Sequence, residues 1–195
     1  MGGVRDCVLS DGTVWLSRPV AADADTVVDC CREPSIAEWT VVPVPYRRAD
    51  AMGFLSDVVA PGWAGRSPVW AVRTAAGGPV VGMLGLDARS DDGAAEIGFW
   101  LAATARGRGL MTRSVRLACD FGFATGGLAL TRIEWRAFVG NVASAAVARR
   151  AGFHYEGYLR RAGLQRGVRR DSWIAARLRT DPPGPALDWP PLTSG

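Results

Sequence analysis

Residues 96 to 112 carry the pattern that decides the fold, and they read EIGFWLAATARGRGLMT. The segment Glu96 to Leu101 has the apolar and aromatic composition of a β-strand. Two glycines and two arginines follow, and from Leu110 onward the apolar residues return at helical spacing. The stretch therefore predicts a strand, a tight basic loop and a helix N-terminus. Proteins hold phosphate groups at such termini, because the first backbone N–H groups point away from the helix.

Upstream of this stretch, the sequence predicts a strand, two helices and two further strands. The first strand covers residues 13–19, and the first helix begins at Ala21 and ends at Pro34. The second helix is predicted from Ala49 to Ala60, where Pro61 ends it. We expect its buried side to be formed by Met52, Leu55, Val58 and Val59. The strands at 69–73, 80–86 and 94–101 are separated by turn-forming residues and are expected to pair antiparallel.

Downstream, two helices alternate with three strands. The helix after the loop buries one face, formed by Leu110, Ser114, Leu117 and Phe121. A strand at 133–138 leads to a helix that Asn141 caps and that ends before Gly152. The last strands, 154–159 and 172–178, flank a polar turn near residues 163–167. The prediction is a mixed α/β domain with a central, mostly antiparallel sheet flanked by about four helices.

Length and composition suit one globular domain. The chain has 195 residues, of which 48% are hydrophobic and 22% charged. We divide it into a lead-in at 1–12, a domain at 13–180 and a proline-rich tail at 181–195 that should add little to the core. No apolar run is long enough to span a bilayer, and the N-terminus has no apolar signal-peptide core, so we expect a cytoplasmic protein without a membrane partner.

The cysteines and charges argue against a metal and against nucleic acid. The four cysteines have no metal-ligand spacing, and the chain has one histidine, so we expect reduced packing thiols and no metal site. All 23 basic residues are arginine, and the formal charge is only +4. Arginines crowd between Arg160 and Arg170, where a solvated hairpin face or an anionic small-molecule site is favoured over a nucleic-acid surface.

The loop from Arg106 to Gly109 is the strongest site candidate. Its glycines let the backbone approach a ligand closely, and the following helix dipole favours a diphosphate without any metal. Arg106 or Arg108 would add an ionic contact. A plain strand-to-helix turn would have the same sequence, so the loop alone leaves both interpretations open. A Walker-type phosphate loop is excluded, because the chain contains no lysine.

This loop resembles the acyl-coenzyme A pyrophosphate loop of the GNAT superfamily of N-acetyltransferases, whose pattern is R/Q-x-x-G-x-G/A. Arg106 and Gly109 match two of its positions, and Met111 stands where the pattern has glycine or alanine. The resemblance implies that acetyl-CoA is the co-substrate. It also implies a sheet splayed at strand 94–101. The residues it assigns to the pyrophosphate are Arg106, Gly107, Arg108, Gly109, Leu110, Met111 and Thr112.

Two further segments resemble the RimJ/RimL-like branch, whose members acetylate the N-termini of ribosomal proteins. Residues 96–101 are similar to that branch's E-I-G-Y-W-L strand. Asn141 and Ser144, followed by residues 152–157 (GFHYEG), are similar to its N-x-x-S and G-F-x-x-E-G pattern. The three segments stand in the expected order, and together the resemblance covers about residues 13–180.

The resemblance implies a direct transfer in which Glu96 is the base and Ser144 the acid. A strand places Glu96 on one face with Gly98 and Trp100, beside a gap where no side chain stands. Glutamates on strands commonly just face water, and Ser144 could equally serve only in the first turn of its helix. A carboxylate is a poor direct base for an ammonium group, so proton removal through a bound water is an alternative to direct removal, and both stay open.

The same resemblance assigns the pantetheine arm and the acceptor. Asn141 would bond the arm, although an N-cap role explains this residue nearly as well. The backbone of Phe99, Trp100 and Leu101 would pair with the arm like an added strand. The acceptor end would be lined by three aromatic residues, Trp39, Tyr46 and Trp70, and the arginines after Leu159 are further candidates for it.

The acceptor itself stays open at this level. The best match is the N-terminal amine of a protein or peptide, with a small-molecule amine, including an antibiotic, as the alternative. An arginine-rich rim would instead favour succinyl transfer. A coenzyme A sensor or a ribosome-associated binding module is the non-enzyme alternative. Dimers are common in the branch, so a homodimer is one expected assembly.

Overall fold

A computed structural model describes residues 6–88 and 92–192 of the chain. Within these residues, eight strands form one sheet. The strands are β1 (Leu9–Ser10), β2 (Trp15–Ser17), β3 (Val69–Arg73), β4 (Gly82–Asp87), β5 (Ala94–Leu101), β6 (Arg132–Phe138), β7 (His154–Gln165) and β8 (Val168–Leu178). Their order across the sheet is β1-β2-β3-β4-β5-β6-β8-β7. The mixed α/β architecture predicted from the sequence is therefore confirmed.

The α-helices are α1 (Ala24–Cys31), α2 (Pro34–Ala37), α3 (Arg48–Phe54), α4 (Ala60–Ala64), α5 (Leu110–Phe123) and α6 (Val142–Arg150). A π-turn at Leu55–Val59 joins α3 to α4, so these two form one continuous helical body. Helix α5 packs against β4, β5 and β6, while α6 packs on α5 and β6. Within the described ranges, no helix is both long and apolar enough to cross a membrane.

The sheet opens between β5 and β6, as the family resemblance implied. These two strands are the parallel pair of the described sheet, and the other neighbours are antiparallel. Their ladder runs from the pair Ala94–Arg132 to the pair Ile97–Trp135 and then stops. Beyond it, β5 stays paired with β4 as far as Leu101, and β6 stays paired with β8 as far as Phe138. The free edges of residues 98–101 and 136–138 therefore face each other across a gap.

The predicted end of the second helix is wrong. Pro61 does not stop it, because the π-turn before it replaces the usual i→i−4 bonds, as in the Ala60 N–H bond to the Leu55 carbonyl, and the proline then opens α4. The predicted buried side is also partly wrong, since Met52 and Val58 are exposed and Ala51 and Val59 are buried. The wider π-turn shifts the phase of the helix, so a 3.6-residue period does not hold through it.

Two further differences from the prediction concern the N-terminal lead-in and the last hairpin. The lead-in at 1–12 contains β1, which pairs Leu9 with Leu16, while residues 1–5 lie outside the described part. The last hairpin is longer than predicted, because β7 and β8 continue to a two-residue turn at Arg166 and Gly167, both with positive φ. Part of the predicted β4–β5 turn, residues 89–91, also lies outside the described residues.

The C-terminal tail contributes to the core, contrary to the prediction. Ala186 is buried, and Trp189 and Leu192 pack against the main hydrophobic cluster. The Nε1 atom of Trp189 donates to the carbonyl of Phe153 at 2.6 Å. The proline content of this segment did not reveal that Ala186 is buried or that Trp189 and Leu192 are partly buried, whereas Leu187 is exposed.

Candidate active site

The loop after β5 has the geometry of an anion-binding helix N-terminus. Gly107 and Gly109 both have φ of +73°, a conformation that glycine adopts at little cost, and Gly109 is the N-cap of α5. The first bond within the helix runs from the Arg113 N–H to the Gly109 carbonyl. The N–H groups before Arg113 point out of the helix end. A Cβ built on either glycine would meet nothing within 4 Å, so the approach to these groups is open.

Arg106 braces this loop through contacts with the protein. Its guanidinium donates to the Leu101 carbonyl and to Ser35 Oγ, both at 2.9 Å. It also lies 3.8 Å from a carboxylate oxygen of Glu33. These bonds fix the loop against the start of α2, whereas Arg108 is exposed on the loop itself. Of the two predicted arginines, Arg108 is thus the better placed to meet a phosphate directly.

The position of the Met111 side chain explains how the loop accommodates a large residue where the family pattern has glycine or alanine. Its side chain is buried and belongs to the main core cluster. The side chain therefore leaves the helix end toward the protein interior and leaves the first turn accessible to a ligand.

A cavity of about 390 Å³ occupies the gap between β5 and β6. It is lined by Glu96, Gly98 and Phe99 from β5 and by Asn141 and Ser144 from the start of α6. Both predicted catalytic residues therefore lie on one cavity, although they are 48 positions apart in the sequence. A Cβ added to Gly98 would meet nothing within 4 Å, which agrees with the predicted gap beside Glu96.

Glu96 stands in a charged cluster that the sequence did not reveal. It lies opposite Glu134 in the parallel ladder, and the Nε atom of Arg136 is 3.7 Å from its Oε2. Arg136 also donates to Oε2 of Glu134 at 3.0 Å. One guanidinium thus separates two carboxylates that would otherwise repel each other. About half of the Glu96 side chain is accessible to solvent, which leaves room for a bridging water.

Asn141 and Ser144 form a helix cap on the cavity wall. The Oδ1 atom of Asn141 accepts from the backbone N–H of Ser144 at 3.2 Å, as predicted for an N-cap. This bond uses the amide oxygen and leaves the amide NH₂ to donate toward the cavity. The hydroxyl of Ser144 accepts a bond from Nε1 of Trp135 at 3.0 Å.

Neither tyrosine near this helix replaces Ser144. The hydroxyl of Tyr158 donates to Asp171 on the neighbouring strand, and about half of this residue is exposed. The ring of Tyr155 packs against Trp189. Ser144 therefore supplies the hydroxyl group that lines the cavity at the start of α6.

A larger groove of about 1020 Å³ adjoins the cavity and shares Glu96 and Gly98 with it. Its other walls come from residues 40–42, from β4, and from five residues of the helical body, namely Phe54, Asp57, Val58, Pro61 and Gly62. Of the three aromatic residues predicted for the acceptor end, Trp39 lines the smaller cavity. Tyr46 and Trp70 are only 5% and 0% exposed, so they pack in the core and do not form the wall that we assign to the acceptor.

The tip of the β7–β8 hairpin holds the Trp39 wall in place. The Nε2 atom of the buried Gln165 donates to the carbonyls of Glu38 at 2.9 Å and Thr40 at 2.7 Å. The guanidinium of Arg170 lies over the rings of Trp39 and Phe138, at 5.3 and 4.7 Å from their centroids. The hairpin arginines predicted at the acceptor end thus act here partly by fixing the segment 37–42.

Glu156, from the G-F-x-x-E-G pattern, has a structural role. Its carboxylate accepts from Arg132 through both oxygens, at 2.7 and 2.5 Å. This hydrogen bonding lowers the pKa of Glu156 below its ordinary value of 4.5. Arg132 also donates to Glu134, so the pair connects β7 to the charged cluster beside Glu96.

A third cavity, of about 660 Å³, begins at the loop. It is lined by Gly109 and Thr112 and by three arginines, Arg113, Arg116 and Arg150. Asp11 and Asp120 also line it, and Arg113 is paired with Asp11 at 2.7 Å. This cavity extends the open helix N-terminus along α5 toward the end of α6.

Sequence reasoning missed Arg136, Trp135 and Gln165. Arg136 and Glu134 alternate on β6, so a carboxylate and a guanidinium on one strand face were visible, but the register that brings them to Glu96 was not. Trp135 had the appearance of an ordinary core residue. Gln165 contacts backbone carbonyls more than 120 positions away, for which no local signal exists.

The two predicted catalytic residues thus lie on one cavity, in a strand gap beside a glycine-rich helix N-terminus. The family model described as "Acetyltransferase (GNAT) domain" matches residues 13–154, and the chain belongs to this family. The superfamily predicted from the sequence is therefore confirmed.

Individual relatives agree with this assignment. A Bacillus subtilis protein described as "Probable N-acetyltransferase YjcK" is 39% identical over 85 residues, which cover 44% of this chain. The match spans about half of that relative's length, namely 46%. RimL, a ribosomal alpha-N-protein acetyltransferase solved with coenzyme A, superposes with a TM-score of 0.78 at 21% identity and covers 88% of this chain and 98% of its own.

A second similar structure is that of a self-immunity enzyme. MccE, a microcin C7 self-immunity acetyltransferase solved with acetyl-CoA and AMP, superposes with a TM-score of 0.77 at 20% identity. The superposition covers 87% of this chain and 93% of MccE. At these identities the two structures establish the shared fold and leave the acceptor open.

Proposed function

We propose that this protein transfers the acetyl group of acetyl-CoA to the N-terminal amine of a protein or peptide. The observation that carries the proposal is the position of Glu96 and Ser144 on one cavity, inside the gap between β5 and β6. The anion-binding loop lies at the end of β5, so a donor held there would reach the gap with its acyl end. The acyl group would then lie between a base and an acid.

Three parts of the chain would bind three parts of the donor. The N–H groups at the start of α5, with Arg108, would hold the pyrophosphate. The cavity along α5 with its three arginines would hold the remaining phosphate and the nucleoside. The free edge of residues 98–101 and the amide NH₂ of Asn141 would bond the pantetheine arm, which completes the strand edge as an added strand does.

The transfer needs no covalent enzyme intermediate. The neutral amine attacks the thioester carbonyl, so a C–N bond forms and the C–S bond breaks. Glu96 receives the proton of the attacking nitrogen through a water, for which its exposure leaves room. Ser144 donates its hydroxyl hydrogen to the departing sulfur and regains a proton from solvent after the thiol leaves.

The size of the groove supports a peptide acceptor. The groove of about 1020 Å³ begins at Glu96 and is at the upper end of the range for small-molecule sites, so it has room for several residues of an extended chain. An N-terminal amine also suits this base, because its pKa of about 8 leaves a larger neutral fraction than a lysine with a pKa of about 10.4. The fold shared with RimL is consistent with such an acceptor.

A small-molecule amine is the second candidate, since the chain shares its fold with MccE to nearly the same degree. Succinyl transfer has less support. Arg166 donates to carbonyls of residues 37–42, and Arg170 stacks on two rings, so these guanidinium groups already have protein partners. A binding module without turnover is the remaining alternative.

The test measures thiol release from acetyl-CoA with two matched panels, one of peptides with free or blocked N-termini and one of small amines. We expect release with free N-termini and none with blocked ones, and mass spectrometry should place the acetyl group on the α-amine. Glu96→Gln should lower kcat by about 100-fold, the lower range for a lost general base. Asp29→Asn, at an exposed site on α1, serves as the matched charge control and should leave kcat unchanged.

Different failures identify different errors. Release with small amines alone would replace the peptide acceptor by the second candidate. Tight coenzyme A binding without release from any acceptor, together with no effect of Glu96→Gln, would establish a binding module instead.

A further inference from the structure

The hydrogen bond between Trp135 and Ser144 has a fixed direction. The two atoms, Nε1 and Oγ, lie 3.0 Å apart, and an indole N–H can only donate. Ser144 Oγ is therefore the acceptor, and its own hydrogen must point away from Trp135. The backbone N–H of Ser144 is used separately, in the cap formed by Asn141. Because Ser144 lines the cavity, the hydroxyl hydrogen can be donated to a group bound there.

Trp135 is in turn held by the C-terminal segment. Its ring is buried, and its centroid lies 5.6 Å from that of Trp189. Trp189 is anchored by its bond to the Phe153 carbonyl, and the Ala186 N–H donates to the carbonyl of Arg149 in α6 at 3.0 Å. The segment therefore ties β6, which carries Trp135, to α6, which carries Ser144.

We propose that Trp135 is a positioning residue for Ser144 and that the C-terminal segment, through Trp189, completes the active-site scaffold. This inference rests on the proposed function, because it assumes that Ser144 donates to the leaving sulfur. The family match ends at residue 154, so Trp189 lies outside the matched part of the chain. A segment that the sequence presents as a proline-rich tail thereby gains a role in catalysis.

The chemistry follows from the direction of the bond. When Ser144 gives its hydrogen to the sulfur, negative charge develops on Oγ. The indole N–H stabilises that charge, since hydrogen bonds to charged acceptors are stronger than those to neutral ones. Trp135 thus makes Ser144 a better donor in the transition state and prevents the hydroxyl from turning toward the protein.

The central variant is Trp135→Phe, which keeps an aromatic ring and removes the N–H. Trp63→Phe is the matched control. Like Trp135, Trp63 is buried, and its Nε1 donates one hydrogen bond, to the Val69 carbonyl at 2.8 Å. We expect Trp135→Phe to lower kcat by about 3- to 10-fold, the range for one hydrogen bond, with the KM for acetyl-CoA unchanged. Trp63→Phe should lower Tm to a similar degree without changing kcat.

A double-mutant cycle separates positioning from general damage. Ser144→Ala alone should lower kcat by about 100-fold. In the Ser144→Ala background, Trp135→Phe should have no further effect, because the group that it positions is gone. Trp189→Ala should behave in the same way, with a loss of kcat that disappears when Ser144 is absent. A merely structural role would give the same loss in both backgrounds.

A second readout does not depend on turnover. Ultraviolet absorbance of the thiolate reports the pKa of the coenzyme A thiol when it is bound to the enzyme. The Ser144 hydroxyl should lower that pKa by bonding the thiolate, and Trp135→Phe should raise it again, whereas Trp63→Phe should not.

The possible results distinguish a failure of the positioning role of Trp135 from a failure of the proposed acid catalysis by Ser144. A wild-type protein that transfers no acetyl group, or a Ser144→Ala variant with full kcat, would overturn the proposed chemistry itself. If Ser144→Ala is slow while Trp135→Phe keeps full kcat and an unchanged thiol pKa, only the positioning role is wrong. An equal loss in both backgrounds of the cycle would likewise overturn it and leave the acid in place.

Discussion

The Nε atom of Arg136 lies 3.7 Å from Oε2 of Glu96, and these two residues come from the strands that separate to form the active-site gap. Arg136 also bonds Glu134, which stands directly opposite Glu96 in the ladder. The guanidinium therefore places a positive charge beside the carboxylate of Glu96 and offsets the charge of its neighbour Glu134.

Replacing Arg136 by glutamine should impair the chemical step more than the binding of acetyl-CoA. Without the guanidinium, Glu96 loses a positive charge 3.7 Å from its carboxylate, and the repulsion between Glu96 and Glu134 is offset less. We expect kcat to fall by about 5- to 10-fold, corresponding to about 1 to 1.4 kcal/mol, with an unchanged Kd for acetyl-CoA. Steady-state kinetics and calorimetric titration measure the two effects. A weaker Kd with full kcat would show that Arg136 belongs to the donor site instead.

Gly109→Ala should weaken donor binding beyond its effect on stability. At φ of +73° an alanine costs about 1 kcal/mol, and its Cβ would occupy the open space in front of the first N–H groups. We expect the affinity for coenzyme A to fall at least about tenfold.

Gly77→Ala is the matched control for that substitution. Gly77 has φ of +66° in the β3–β4 turn, again with nothing within 4 Å of a built Cβ. Both variants should lose similar stability in thermal unfolding, but Gly77→Ala should bind coenzyme A normally. Equal affinities for the two variants would mean that the loop does not contact the donor.

Gln165→Ala should raise the KM for the acceptor. Removing the side-chain amide takes one donor away from the carbonyls of residues 37–40 and loosens the wall that carries Trp39. The cost should be that of ordinary hydrogen bonds, about 0.5 to 1.5 kcal/mol each, because Arg166 and Arg170 still donate to these carbonyls. The KM for acetyl-CoA should stay the same. Arg169→Ala, on the same hairpin with an exposed side chain, provides the comparison. A lower Tm with an unchanged acceptor KM would separate this wall from acceptor binding.

Glu156→Gln should remove a pH-dependent part of the stability. Hydrogen bonds from Arg132 lower the pKa of Glu156 in the folded state. The stabilisation by a group with a lowered pKa is fully present above its unfolded pKa, near 4.5, and is lost as the pH falls through the folded value.

Thermal unfolding at several pH values tests this expectation. The wild type should exceed Glu156→Gln in Tm at neutral pH, and the difference should shrink progressively below a pH of about 4.5. A difference that stays constant down to strongly acid pH would assign the effect to lost packing and not to the ion pair with Arg132.

The elements that the sequence predicted well are those encoded by local patterns. The strand at 94–101, the loop at 106–109 and the Asn141 cap all depend on residues within a few positions of each other, because side-chain periodicity, glycine conformations and capping are short-range effects. The second helix was the exception among local features. Its π-turn changes the period without leaving a marker in composition.

The sequence by itself thus determined the class of fold, the loop proposed to bind the donor, and Glu96 and Ser144 as the candidates for proton transfer. Only the tertiary structure decided which groups surround them. Arg136 reaches Glu96 through the register of two parallel strands, Tyr46 and Trp70 are withdrawn into the core, and Trp189 reaches Trp135 from the far end of the chain. Such contacts join segments dozens of residues apart, and burial and strand register, which set them, are properties of the folded chain as a whole.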